Sequence, residues 1–161
     1  MKVPYLIAAA AFCFGMSSPL MAAETDKPEH IVITPDEFVW VDGPAGLPSG
    51  TKVAILEGDP SKAGPFTLRL KVPANYKIQP HWHPAIEHVT VLDGIFHMGM
   101  GDKFDESLGK ILPVGSFAVM PIKSHHYAWT GNEAATIQLH GVGPWGITYV
   151  NPSDDPRKQK K

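Results

Sequence analysis

Glycine and proline interrupt this chain so often that no long helix fits in it. The 161 residues include 15 glycines and 16 prolines, and proline inside a helix removes a hydrogen bond and clashes with the preceding turn. From Glu37 onward the apolar residues fall in short or alternating runs, parted by Gly, Pro, Asp and Asn. Phe38–Val41 and Lys52–Leu56 are the first two runs. Phe66–Val72 alternates apolar and polar residues, the period of a half-buried strand. Lys77–His83, Glu87–Leu92, Ile95–Met100, Ser116–Met120, Tyr127–Thr130, Ala135–His140 and Ile147–Val150 follow. About ten short strands at near-regular spacing predict an all-β domain, a sandwich or a closed barrel. Asp93-Gly94 predicts a hairpin turn, and Gly101–Lys110 a polar loop.

The two ends read differently from this body. Lys2 gives a short positive region, Val3–Met16 is apolar, Ser17-Ser18-Pro19 breaks it, and Leu20-Met21-Ala22-Ala23 offers small residues for cleavage. This is the pattern of a secretory signal peptide over 1–23, cut after Ala22 or Ala23. The apolar run is short for a membrane span of about 20 residues. Residues 24–36 read as a polar leader, 37–150 as one barrel domain and 151–161 as a polar tail. The tail holds the only basic cluster, Arg157-Lys158-Gln159-Lys160-Lys161, and reads as a solvated terminus. The expected protein is periplasmic or secreted, with no membrane span in its mature form. Cys13 is the only cysteine and lies in the signal, so the mature chain has neither a disulfide nor a thiol nucleophile. Cleavage removes one charge, Lys2, and takes the formal net charge from -2 to -3. That balance, without a basic patch, predicts no nucleic-acid partner.

Residues 80–94, Pro-His-Trp-His-Pro-Ala-Ile-Glu-His-Val-Thr-Val-Leu-Asp-Gly, concentrate the chemistry. A strand sends alternate side chains to one face, so His81 and His83 point the same way. Pro84 turns the chain, and Glu87 on the next strand can meet the two imidazoles. Two imidazoles and a carboxylate suit a divalent transition metal. A further histidine could come from His125-His126. These neighbours face opposite ways on a strand, and spacing physics alone does not choose between them. His88 should face away from Glu87. His97, Gln138 and His140 are candidates for touching a substrate or backing up the metal ligands. Met98 and Met100 read as core, and Trp40, Trp82, Trp129 and Trp145 as packing.

These residues resemble the two motifs of the cupin superfamily. The first runs Gly, five residues, His-x-His, three or four residues, Glu, six residues, Gly. His81, His83, Glu87 and Gly94 match it, with Asn75 in place of the first Gly. The second runs Gly, five residues, Pro-x-Gly, two residues, His, three residues, Asn. Gly115, Pro121 and His126 match, while Lys123 replaces a Gly and Thr130 the Asn. The resemblance implies a single-domain jelly-roll β-barrel. It implies a metal (Fe, Mn, Ni, Zn or Cu) held by His81, His83, Glu87 and His126, with His125 turned outward. Many cupins are homodimers, and a strand at Ile31-Val32-Ile33 could serve such an interface.

Four protein ligands on an octahedral metal leave two positions for substrate or dioxygen. The resemblance therefore implies a metal-dependent enzyme acting on a small molecule. Dioxygenase chemistry is its commonest association, and isomerases and lyases share the ligand set. Glu87 could also transfer a proton. The alternative is a non-catalytic module that binds or senses a metal or small ligand.

Overall fold

The computed structural model describes residues 30–159, so the signal-peptide reading, Cys13 and residues 24–29 of the polar leader lie outside the described residues. Among the described residues eleven strands form: β1 Val41–Asp42, β2 Lys52–Glu57, β3 Gly64–Val72, β4 Lys77–Trp82, β5 Glu87–Asp93, β6 Phe96–Met100, β7 Lys110–Leu112, β8 Phe117–Met120, β9 His126–Thr130, β10 Ala135–Gly143 and β11 Thr148–Tyr149. They build two antiparallel sheets, in the orders β1-β2-β3-β10-β5-β8 and β11-β4-β9-β6-β7. Consecutive strands repeatedly switch sheets, as in a jelly roll. Among the described residues the only helices are short 3-10 turns. None is long and apolar enough to cross a membrane.

Alternation decides what lies between the sheets. In β3, Phe66, Leu68, Leu70 and Val72 are buried, while Thr67, Arg69 and Lys71 face out. β10 repeats this with Ala135, Ile137 and Leu139 inside. The opposite sheet contributes Ile78, Phe96, Met98 and Ala128 to the same core. Strand β9 departs from the pattern, with all five residues buried. Its outward Tyr127 and Trp129 are covered by Phe104, at 5.0 and 5.6 Å between ring centroids. Tyr127 Oη also donates to the Asp105 carbonyl at 2.7 Å. The segment predicted as polar loop thus folds over the sheet, and at its end Lys110–Leu112 pairs with β6 as β7.

Four left-handed turns set the register of the motif strands. Asn75, Gly94, Gly115 and Lys123 have φ of 56°, 70°, 87° and 58°. These are the glycine positions of the two cupin motifs, and the backbone keeps its left-handed conformation even where Asn75 and Lys123 replace glycine. Thr130 closes the first of them: its Oγ1 accepts from Tyr76 N at 3.0 Å and donates to the Pro73 carbonyl at 2.6 Å.

Several sequence expectations are corrected. Asp93-Gly94 is not a hairpin, because β5 pairs with β10 and β8 whereas β6 pairs with β9 and β7. Gly94 instead carries the chain from one sheet to the other, and a Cβ there would lie 2.1 Å from the Ala134 carbonyl oxygen. The run Phe38–Val41 is strand only at Val41. Phe38 and Trp40 lie instead against Arg69 and Lys71, 4.7 and 4.1 Å from cation to ring centroid. Ile31, Val32 and Ile33 form no strand and are exposed. The described part of the tail is mostly exposed, Arg157, Lys158 and Gln159 included, and is held at one point: Asp155 is buried and binds Arg157 through both oxygens, and Arg157 Nη2 donates to the Ile147 carbonyl at 3.1 Å. Met100 is exposed, whereas Met98 is core.

Candidate metal centre

Three imidazoles meet where β4, β9 and the turn after β4 come together. His81 pairs with His126 across β4 and β9. His83, just past β4, reaches the same point. One ring nitrogen from each of the three lies within 4.8 Å of the others, and all three residues are buried. Glu87 opens β5 in the facing sheet. Its Oε1 is 3.5 Å from His83 Nε2 and its Oε2 is 3.5 Å from His126 Nε2. The predicted turn at Pro84 therefore joins two sheets, and it brings the carboxylate across the barrel to face the imidazoles.

The far side of each ring is tied to main chain. Nδ1 of His81 donates to the Gln79 carbonyl at 2.7 Å, that of His83 to Gly146 at 2.7 Å and that of His126 to Ser124 at 2.9 Å. A carbonyl only accepts, so each Nδ1 carries the hydrogen and each neutral ring presents a lone pair at Nε2. His83 Nε2 and His126 Nε2 are buried with no hydrogen-bond partner. Lone pairs and carboxylate oxygens thus converge with no proton between them. Burial holds His81 well below the ordinary histidine value, helped by the positive charge that His126 and His83 would carry. His83 is lowered too, burial outweighing the pull of Glu87. Burial pushes the Glu87 carboxyl up, but the facing His83 and His126 outweigh this and its value falls below the usual range. The carboxylate wants positive charge beside it, and the rings resist supplying that charge as a proton. A bound dication meets both demands, so the four residues fit a metal.

The centre opens into a cavity of about 60 Å³. Beyond the four polar residues its wall is apolar, including Leu70, Phe96, Met98, Ile137 and Leu139. Pro44 and Leu47 from the loop after β1, with Trp145 and Ile147 from the segment before β11, complete the wall.

The remaining sequence candidates face elsewhere. His125 points outward and bonds the exposed Asp102 at 2.6 Å. His88 and His140 stack on each other, 4.5 Å apart and 7° from parallel, on the outer face of the six-stranded sheet. Gln138 lies on that face and accepts from Arg69 Nε at 3.3 Å. His97 lies on the outer side of the five-stranded sheet, stacked on Trp129 at 4.9 Å. His97, Gln138 and His140 thus do not enter the cavity, because their strand neighbours Phe96, Met98, Ile137 and Leu139 take the inward positions. Sequence reasoning assigned Trp145 to packing and gave Gly146 no role. Trp145 stacks on His83 at 4.6 Å, and the Gly146 carbonyl orients His83 from 63 residues away. No local pattern announces a contact of that separation.

Comparison with known proteins agrees with this architecture. Residues 28–145 match the model of the ChrR cupin-like domain. The chain belongs to this cupin family. Among solved structures, the polyketide cyclase RemF from Streptomyces resistomycificus matches with a TM-score of 0.65 at 17% identity, covering 81% of this chain and 92% of that one. A putative acetylacetone dioxygenase from Methylibium petroleiphilum matches with a TM-score of 0.60 at 19% identity, covering 81% and 87%. The DMSP lyase DddQ from Ruegeria pomeroyi matches with a TM-score of 0.57 at 17% identity, covering 71% and 62%. At such identities the likeness is one of fold. A search of curated proteins gave no match.

Proposed function

We propose that this cupin is an exported, metal-dependent enzyme acting on a small molecule. The observation that carries the reading is the convergence of proton-free Nε2 atoms and the Glu87 carboxylate in a buried apolar cavity. His81, His83, His126 and Glu87 hold the metal. Bound there, a divalent transition metal supplies Lewis-acid or redox chemistry at its open positions. The carbonyls of Gln79, Gly146 and Ser124 keep the three rings in one tautomer and orientation. The apolar wall excludes water and strengthens the local electrostatics. Glu87 is the group placed to carry a proton between substrate and site.

The named neighbours are a polyketide cyclase, a DMSP lyase and a putative acetylacetone dioxygenase, which supports a small-molecule reaction without choosing its type. Elemental analysis of protein purified from its native compartment tests the centre, with His81→Ala expected to lose the metal. Uptake of dioxygen by Fe(II)-loaded protein, given catechols, thiols and keto-acids, tests the oxidative reading. One observation favours a second reading, a binding or sensing module: the cavity is small, about 60 Å³. Absence of turnover with any metal would select that reading. Export from the cell and homodimer formation belong to the same proposal. Fractionation checks the first, and a monomer mass by light scattering would remove the second.

A further inference from the structure

The metal cavity reaches solvent along one wall only. Of the residues lining it, Pro44 is exposed and Leu47, Trp145 and Ile147 are half-buried, while all the others are buried. The way in therefore lies between the loop after β1 and the segment before β11. The cavity's volume of about 60 Å³ is far below the roughly 300–1,000 Å³ of a small-molecule site, so one of these two segments has to move. The segment before β11 is fixed from several sides. Trp145 N donates to the Pro60 carbonyl at 2.6 Å, the Gly146 carbonyl holds His83, and the Ile147 carbonyl holds Arg157. Moving it would release a metal ligand.

The loop is held by much less. Its ends meet where Gly43 N donates to the Thr51 carbonyl at 2.9 Å, and Gly50 has a φ of 111°. Between those ends, among the described residues, only two tyrosine hydroxyls bond it to the rest of the fold. Tyr149 Oη donates to the Gly46 carbonyl at 2.8 Å, and Tyr76 Oη donates to the Pro48 carbonyl. The same loop, Pro44 and Leu47 included, lines an open cleft of about 910 Å³ together with Lys77, Gln79 and Arg157. It thus stands as a partition between cavity and cleft, with room to swing outward. We propose that Gly43–Thr51 is the lid of the metal cavity, latched by Tyr149 and Tyr76, and that its opening joins the cavity to the cleft. Lids of this kind hinge at a few residues near their ends, here Gly43 and Gly50. The proposal rests on the metal reading above only for what passes through the opening.

The test is kinetic. Zinc uptake, and release of bound zinc to excess EDTA, are followed in wild type and in Tyr149→Phe, which keeps the ring and removes the latch. Both rates should rise about fivefold, the ordinary worth of one hydrogen bond, with zinc affinity unchanged. Unchanged rates, or faster release with affinity lost, overturn the lid. A second variant acts in the opposite direction. A Cβ at Gly46 would lie 2.7 Å from Ile147 Cγ2, so Gly46→Cys combined with Ile147→Cys places two thiols within bridging distance. Loaded with Zn²⁺ and then oxidised, this protein should release zinc about tenfold more slowly than wild type or slower still, its lid being tethered. Reduction should restore the rate. Loss of stability cannot slow release, and release at the wild-type rate from the oxidised protein overturns the lid. A wild type that takes up no divalent metal removes the metal reading, and the lid is then read in metal-free protein. The Met98→Cys thiol, in the cavity wall, should react with an aromatic disulfide about fivefold faster once Tyr149→Phe is added, and equal rates overturn the lid.

Discussion

The ring nitrogens of His81, His83 and His126 meet backbone carbonyls on one side and each other on the other. Of the outward histidines, His88 and His140 stack on each other with His88 Nδ1 donating to the His140 carbonyl at 3.3 Å, His97 stacks on Trp129, and His125 meets an exposed carboxylate. Both groups sit in or beside β-strands, and His125 and His126 are adjacent in sequence. What separates them is which face of the sheet they occupy and whether their rings converge on one another and on Glu87. An inward ring backed by a carbonyl is left with a lone pair aimed into an apolar cavity. An outward ring stacks on a neighbour or meets a solvated acid, and among the described residues no second cluster of ligands converges on it. In this fold histidine becomes a candidate ligand through register and convergence, not through its presence in the motif region.

The largest effect expected is on metal content. His126→Ala should lower metal affinity by more than the roughly 100-fold typical of removing a group that merely orients a ligand. His125→Ala and His140→Ala should leave metal content unchanged by the same elemental analysis, and a loss in either would break the inner-outer division. Next comes the turn that sets the register. Gly94→Ala forces a Cβ to within 2.1 Å of the Ala134 carbonyl at φ 70°. It should cost about 3 kcal/mol in denaturant unfolding. Acid should separate the groups too. Burial keeps His81 and His83 below the ordinary 6.5 in the folded protein, so the unfolded chain takes up protons that the folded one refuses. In the metal-free protein this contribution is complete above 6.5 and is lost as pH falls below it. Unfolding midpoints at pH 8 and pH 5.5 check it, and equal midpoints would mean that the inner rings are already protonated. The smallest effect expected is at Lys123, held at φ 58°. Lys123→Gly should stabilise by about 0.5 kcal/mol, relief of the left-handed strain outweighing glycine's extra chain entropy. Asn75→Gly should be near neutral, since Asn tolerates this conformation.

Much of the site was legible from local pattern because strands have a period of two. His81 and His83 two residues apart, with Glu87 beyond a Pro turn, had to share a face or meet across one. The choice of His126 over His125 came from the resemblance to the cupin motifs, and the inward and outward burial of the two residues agrees with it. Legibility ended at pairing. Asp93-Gly94 has the composition of a hairpin, but the partners of β5 and β6 lie elsewhere in the chain. Strand β7 is not legible because Lys110 ends the run expected as polar loop and only Ile111 and Leu112 follow before Pro113, too short a run to show alternation. Trp129 and Tyr127 look like half-buried alternation until Phe104 covers them.

By itself the sequence determined an all-β chain, the positions of most of its strands, and a set of nitrogen and oxygen donors suited to a transition metal. These follow from interactions a few residues long: side-chain alternation, proline and glycine geometry, and ligand chemistry. Only the tertiary structure decided that Glu87 faces the imidazoles from the opposite sheet, that three distant carbonyls fix the ring tautomers, and that Trp145 lies against His83. It also decided that His97, Gln138 and His140 look outward. Each of these depends on which strand lies beside which, and that is set by the burial of the whole core rather than by any segment of it.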